Sequence, residues 1–260
     1  MLRLDENGFA EALARYISCP FFFPLIGAVL SKSQDGEAYC DDAQAPRQFY
    51  VQHRSGFAQM FGPSNPAFEA KLARRLLIER DSGVAKVRLY APVAAAAIDA
   101  LDTSAFRSQR QRFRLAQVSR CGGHGGVPEI ELRLAGPQDV EQLETAFGIV
   151  TRFWRSSEDF LEGARAVVAL DGATIASVCC AAAIAGERAE IDVATIPTYR
   201  GKAYGRMVVA AFIQRCLDAG VEPLWDCFTN NLPSMRTATA SGFVPLGPPY
   251  LFLTIPSRSG

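Results

Sequence analysis

Surplus charge of either sign is missing from this 260-residue chain, in which Lys+Arg and Asp+Glu both number 27. Proteins devoted to nucleic acid or to an anionic membrane need excess cations, so the balance argues against both as the main partner. Histidine is scarce: His53 and His124 leave a metal site little to be built from. The seven cysteines include no CxxC pair. Their odd number, their scatter through apolar runs and the adjacent Cys179 and Cys180 read as reduced, packing thiols in a cytosolic setting. No basic start leads into an apolar run, so no leader segment is expected. Nothing reads as a membrane span either: "SCPFFFPLIGAVL" is short, broken by Pro20 and Pro24, and reads as a buried strand. Short-period repeats and low-complexity tracts are absent too.

What is present suffices for a sizeable core, since 49% of residues are hydrophobic. The clearest break is "RCGGHGGVPEI", where four glycines in five residues cannot hold a packed element. It divides the chain into an N-terminal α/β domain (1–120), a Gly-rich linker (121–128) and a C-terminal domain (129–260). In the first half, "QFYVQH" and "KVRLYAP" read as strands, and "NPAFEAKLARRLLIERD" reads as a helix capped by Asn65. A hairpin is expected around Asp35-Gly36, and "RSQRQRFR" (Arg107 to Arg114) reads as a solvated helix face.

The second half predicts the order β-α-α-β-β-β-α-β-α-β-β, an α/β fold of the α+β kind with a mixed, mostly antiparallel sheet flanked by helices. Pro137 is placed to open its first helix and Ser156 or Ser157 to cap its second. Asp171-Gly172 is a strong short hairpin signal, Gly220 ends the long helix, and "FVPLGPPYLFLTI" reads as a closing hairpin.

The stretch "IPTYRGKAYGRMVVAAFIQRC" carries the chemistry. It sets Arg200, Lys202 and Arg206 around Gly201 and Gly205, immediately before an apolar helix. A strand-to-helix turn exposes backbone N–H groups without intrahelical partners, and the helix dipole adds positive character there. Glycine and alanine let an anion approach the backbone, so the turn suits a phosphate; a basic solvated loop is the plain alternative. A Walker loop is excluded because Lys202 precedes Gly205, and a dinucleotide fingerprint because this turn follows an antiparallel hairpin.

With the element order included, these residues resemble the GNAT acetyltransferase family. Its signature, Arg/Gln-x-x-Gly-x-Gly/Ala, is filled by Arg200, Ala203 and Gly205, with alanine replacing the usual first glycine. A second segment, "NNLPSMRTATASGF", is similar to the family's Asn-x-x-Ser/Ala…Gly-Phe, with Asn231, Ser234, Gly242 and Phe243 in place. The likeness covers about 129 to 255. Paired GNAT-like halves, the first degenerate, also resemble a bacterial branch that includes antibiotic-modifying enzymes.

The resemblance implies acetyl-CoA as co-substrate, held by Val193, Ala194, Thr195, Arg200, Gly201, Lys202, Ala203, Tyr204, Gly205, Arg206, Asn231 and Ser234. It implies direct acetyl transfer to a small-molecule primary amine, with the N-terminal half closing over the acceptor. An alkyl ammonium has a pKa of about 10, so a base must take its proton. Glu190 is expected first and Asp192 second, both on one strand face; a solvated acidic pair is the alternative. The resemblance also puts the thioester carbonyl near the end of this strand, where a backbone N–H between Val193 and Thr195 would stabilise the oxyanion. Ala238 stands where many members carry an acid tyrosine, leaving Tyr199, Tyr204 or Tyr250 as substitutes. Trp154 and Phe153 either line the acceptor pocket or pack in the core, and Trp225 is read as core. Two other readings are a catalytically silent acyl-CoA sensor and an aminoacyl transferase using charged tRNA; the zero net charge counts against the second.

Overall fold

Local signals place most element ends in the computed structural model, which describes residues 1–5, 8–116 and 130–258. The expected linker 121–128, with Cys121 and His124, lies outside the described residues. β1 (Leu2–Arg3) is followed by α1 (Gly8–Ile17) and α2 (Pro24–Leu30). Pro24 opens α2 at a position whose N–H has no helical partner anyway, and every residue of the helix is buried. The second part of the run expected as a buried strand is therefore a helix, and the part before Pro24 is neither helix nor strand. A segment with no polar face shows no period to separate the two.

β2 (Gly36–Cys40), β3 (Phe49–His53) and β4 (Phe57–Phe61) come next, then α3 (Pro66–Ala73), a π-helical turn (Arg74–Glu79), β5 (Lys86–Ala91) and α4 (Ala96–Asp99). Asn65 caps α3 as expected, accepting from the Ala67 and Phe68 amides. The hairpin expected around Asp35-Gly36 does not form, because α2 occupies the place of its first strand; Gly36 instead opens β2 opposite His53. β6 (Arg107–Leu115) corrects the expected helix face. Gln111, Arg112 and Phe113 are all buried, and three buried residues in a row hide the two-residue alternation of a strand.

The remaining elements are β7 (Glu131–Leu134), α5 (Val140–Phe147), α6 (Val150–Phe153), α7 (Ser157–Gly163), β8 (Val167–Asp171), β9 (Thr174–Ala185), β10 (Arg188–Thr195), α8 (Tyr204–Asp218), β11 (Glu222–Phe228), α9 (Leu232–Ala240), β12 (Phe243–Pro245) and β13 (Tyr250–Pro256). This is the expected order with one short helix, α6, added. The closing hairpin is not formed: β12 pairs with β6, whereas β13 lies between β5 and β6.

By contacts the chain forms two units, one of Met1–Arg110 with the segment from Pro249 onward, the other Gln111–Pro248. The expected boundary thus moves, and the final strand leaves the C-terminal domain. β13 pairs along β5 for its length, from Leu251↔Ala91 to Pro256↔Lys86.

In the first unit the strands run β1-β2-β3-β4-β5-β13, with the start of β6 beside β13. In the second they run β6-β11-β10-β9-β8-β7. α8 sets Val208, Val209, Phe212, Ile213 and Cys216 against Val167, Ala169, Cys179, Ala181 and Ala189. Burial of each large apolar side chain there contributes about 1.5–3 kcal/mol. The six described cysteines are free thiols. Burial pushes Cys179 and Cys180 well above the ordinary thiol value and Cys216 up to about 12, so they pack rather than react. Among the described residues no helix is long and apolar enough to cross a membrane, and no cluster could hold a metal ion.

Candidate active site

Both units contain a strand, a turn, a helix and a parallel strand: β4-α3-β5 and β10-α8-β11. Their turns differ in chemistry. At α3, Pro66 has no N–H and the Asn65 side chain occupies the next two amides, so that helix start is already satisfied. At α8 the cap residue is Ala203, which has no side-chain acceptor. The Arg206 and Met207 amides donate to Ala203 O, whereas no partner is found for those of Tyr204 and Gly205 among the described residues. Ala203 sits at φ +67°, in the left-handed region that glycine favours, so the family's usual glycine has a conformational reason here.

The strand leading into that turn separates from its neighbour. β10 and β11 pair only from Arg188↔Glu222 to Glu190↔Leu224. At that row β9 carries an extra residue, Ala182, between the partners of Glu190 and Ile191; such a bulge strengthens local twist. Beyond it β10 runs on to Thr195 and β11 to Phe228, leaving a fork. Ile196 N donates to Ala176 O at 3.0 Å. Antiparallel alternation then turns the Ala194 amide toward β9 and those of Val193 and Thr195 toward the fork.

A cavity of about 640 Å³ joins the fork to the helix start. Its walls include Val193, Ala194, Thr195, Arg200, Gly201, Ala203, Tyr204, Gly205, Arg206, Asn231 and Ser234, so eleven of the twelve expected carrier-binding residues meet there. The twelfth, Lys202, lies outside the wall with its ammonium 5.0 Å from the centre of the Tyr199 ring. A Cβ on Gly205 would come within 3.2 Å of Thr195 Oγ1, and one on Gly201 would meet nothing within 4 Å. The opposite wall comes from α9, whose cap Asn231 accepts from Ser234 N. Trp225, read as core, is buried but also lines the cavity, and its Nε1 donates to Ser234 Oγ at 3.1 Å. Uncapped amides and two lining arginines, in a cavity that also reaches Trp225, Asn231 and Ser234, fit a diphosphate with an attached arm.

The two expected bases are treated differently. Glu190 is 5% exposed and its carboxylate stands 3.6 Å from Arg112 Nη1 on β6, which also faces Asp226 on β11 at 3.7 Å. Asp192 keeps 27% side-chain exposure and meets Arg152 of α6 at 3.4 Å. Burial pushes the Asp192 carboxyl above the ordinary carboxylate range; the Arg152 guanidinium and the Val193 amide oppose this only in part. Ala189, Ile191 and Val193 pack on the α8 side, so Glu190 and Asp192 project from the other face.

Ala238 is fully buried in the core. Of the three tyrosines considered in its place, Tyr199 lines the cavity. Tyr204 lines it too but directs its hydroxyl to Asp171 Oδ2, and Tyr250 packs near Phe23 and Tyr90 in the first unit. Phe153 and Trp154 are buried. Sequence reasoning missed Arg112, Asp226 and Arg152, which gain their roles only from strands and helices distant along the chain.

Fold and site define an acyltransferase of the GNAT class. The chain belongs to the GNAT acetyltransferase family, whose pattern it matches over residues 23–248. It is 24% identical over 238 residues to an uncharacterized N-acetyltransferase, YdfB, of Bacillus subtilis (strain 168), covering 86% of this chain and 87% of that one. A GCN5-related N-acetyltransferase-like protein from Streptococcus suis 89/1591 has a similar structure, with TM-score 0.68 and 18% identity over 96% of this chain and 100% of that one. So has a tandem GNAT protein from the clavulanic acid biosynthesis pathway, with TM-score 0.66 and 13% identity over 100% and 98% of the two chains. Members of this family use acetyl-CoA as co-substrate.

Proposed function

We propose that this enzyme holds acetyl-CoA in the cavity between β10, α8 and α9 and transfers its acetyl group directly to a primary amine of a small molecule. The observation that carries the reading is the uncapped start of α8, which opens into the same cavity as the β10–β11 fork. The Tyr204 and Gly205 amides, with Arg200 and Arg206, hold the diphosphate. Asn231, Ser234 and Trp225 line the path of the pantetheine arm, and the fork delivers the thioester to the opposite face of the sheet.

There Asp192 is the base. Its raised pKa makes it a stronger proton acceptor than an ordinary carboxylate and its partial exposure leaves it reachable, whereas Glu190 is buried against Arg112. The ammonium first passes a proton to Asp192, and the neutral nitrogen then attacks the thioester carbonyl carbon. The Thr195 amide stabilises the oxyanion, and as the C–S bond breaks the nitrogen's second proton goes to the departing thiolate. That thiolate, with a pKa of about 8.5, leaves without a dedicated acid. The test is thiol release from acetyl-CoA across an amine panel. Asp192→Asn is expected to lower kcat by about 10²–10⁴-fold, the range for a lost general base. Unchanged kcat would remove Asp192 from the mechanism.

A further inference from the structure

We infer that the acceptor is an amine bearing a carboxylate a few bonds away, of the α-amino acid class, and that Arg152 selects it. This rests on the transferase reading above and names the substrate class of that site. Asp192 and Arg152 stand 3.4 Å apart on the face of β10 turned away from α8, with side chains 27% and 47% exposed, so neither is sealed from an acceptor. The guanidinium is held in place rather than waving in solvent. Its Nη2 donates to Phe147 O at 3.3 Å, and its carbon lies 5.6 Å from the centre of the Phe153 ring. The helix bearing it is fixed by Glu144, which accepts from the Val150 and Thr151 amides and from the Thr151 hydroxyl.

An incoming zwitterion can divide this ion pair without leaving a charge alone: its amine takes Asp192 and its carboxylate takes the planar fork of Arg152. A polyamine or a multiply cationic sugar would instead set a second cation against Arg152, and a plain amine would bring the guanidinium no carboxylate to replace Asp192. The same residue thus favours one acceptor class and repels another.

The experiment measures thiol release with the full chain, acetyl-CoA and several α-amino acids, each beside its amide and its decarboxylated amine, with spermidine as the polycation. Amino acids are expected to exceed their carboxylate-free partners in kcat/KM by at least about tenfold, the worth of one charge-assisted contact. Arg152→Met is expected to erase that preference through KM, so that each amino acid and its amide are used about equally, and Arg152→Lys to restore part of it. Equal or better use of the carboxylate-free amines or of spermidine overturns this inference and leaves the transferase standing. Absence of acetylation with every amine, despite measurable acetyl-CoA binding, overturns the transferase reading and this inference with it.

Discussion

Arg112 Nη1 lies 3.6 Å from Glu190 Oε2, with the two side chains only 4% and 7% exposed. The same guanidinium faces Asp226, so one cation on β6 serves acids on β10 and β11 beside the row where those strands part. Removing the cation alone leaves two carboxylates buried together. Arg112→Met is expected to cost about 3–5 kcal/mol in chemical denaturation, the range for breaking a buried pair. Adding Glu190→Gln and Asp226→Asn to that variant removes the uncompensated charges and is expected to recover most of the loss.

Asp192 gives a pH-dependent prediction. Its folded pKa is raised, so the folded state holds this proton more tightly than the unfolded chain does, and stability falls as pH rises through the titration. Asp192→Asn removes that effect. Its stability relative to wild type is expected to grow with pH above the ordinary carboxylate range and to vanish below it. Arg152→Met removes the opposing cation, and the acidic limb of kcat/KM is expected to move to higher pH.

At the turn, Ala203 occupies a left-handed conformation that costs an L-residue about 1–2 kcal/mol. Glycine's greater freedom in the unfolded chain offsets part of that gain, so Ala203→Gly is expected to stabilise the protein by roughly 0.5–1 kcal/mol. Acetyl-CoA affinity should hold, since no side-chain contact is lost. Thermal unfolding with and without acetyl-CoA measures both.

At the other wall, Asn231→Ala removes the α9 cap and should cost about 1 kcal/mol. Because Asn231 also lines the cavity, KM for acetyl-CoA is expected to rise more than kcat falls.

Local signals made the second unit readable in advance. Pro137, the Ser156 cap, the Asp171-Gly172 turn and Gly220 each act within a few residues, and the cation-rich turn with its glycines stood out for the same reason. The misread segments were those whose state depends on distant partners. The run from Pro24 becomes a helix because it is buried all round, and β6 is a strand whose charged sequence hides Arg112 between Glu190 and Asp226. β13 pairs with β5, which no turn chemistry near Gly247 could announce. Glu190 and Asp192 were found together by strand spacing, but their different environments come from β6 and α6.

The central claim is that the α8 start holds the diphosphate of acetyl-CoA, and Gly205→Asp tests it most directly. An acid in the first turn of a helix favours the dipole, so the variant is expected to stay folded, its carboxylate facing the cavity beside Thr195. Calorimetric titration with acetyl-CoA is predicted to show saturable binding to wild type and at least about tenfold weaker binding to the variant, one lost charge-assisted contact being worth roughly that much. Equal affinity of the two folded proteins would contradict the account.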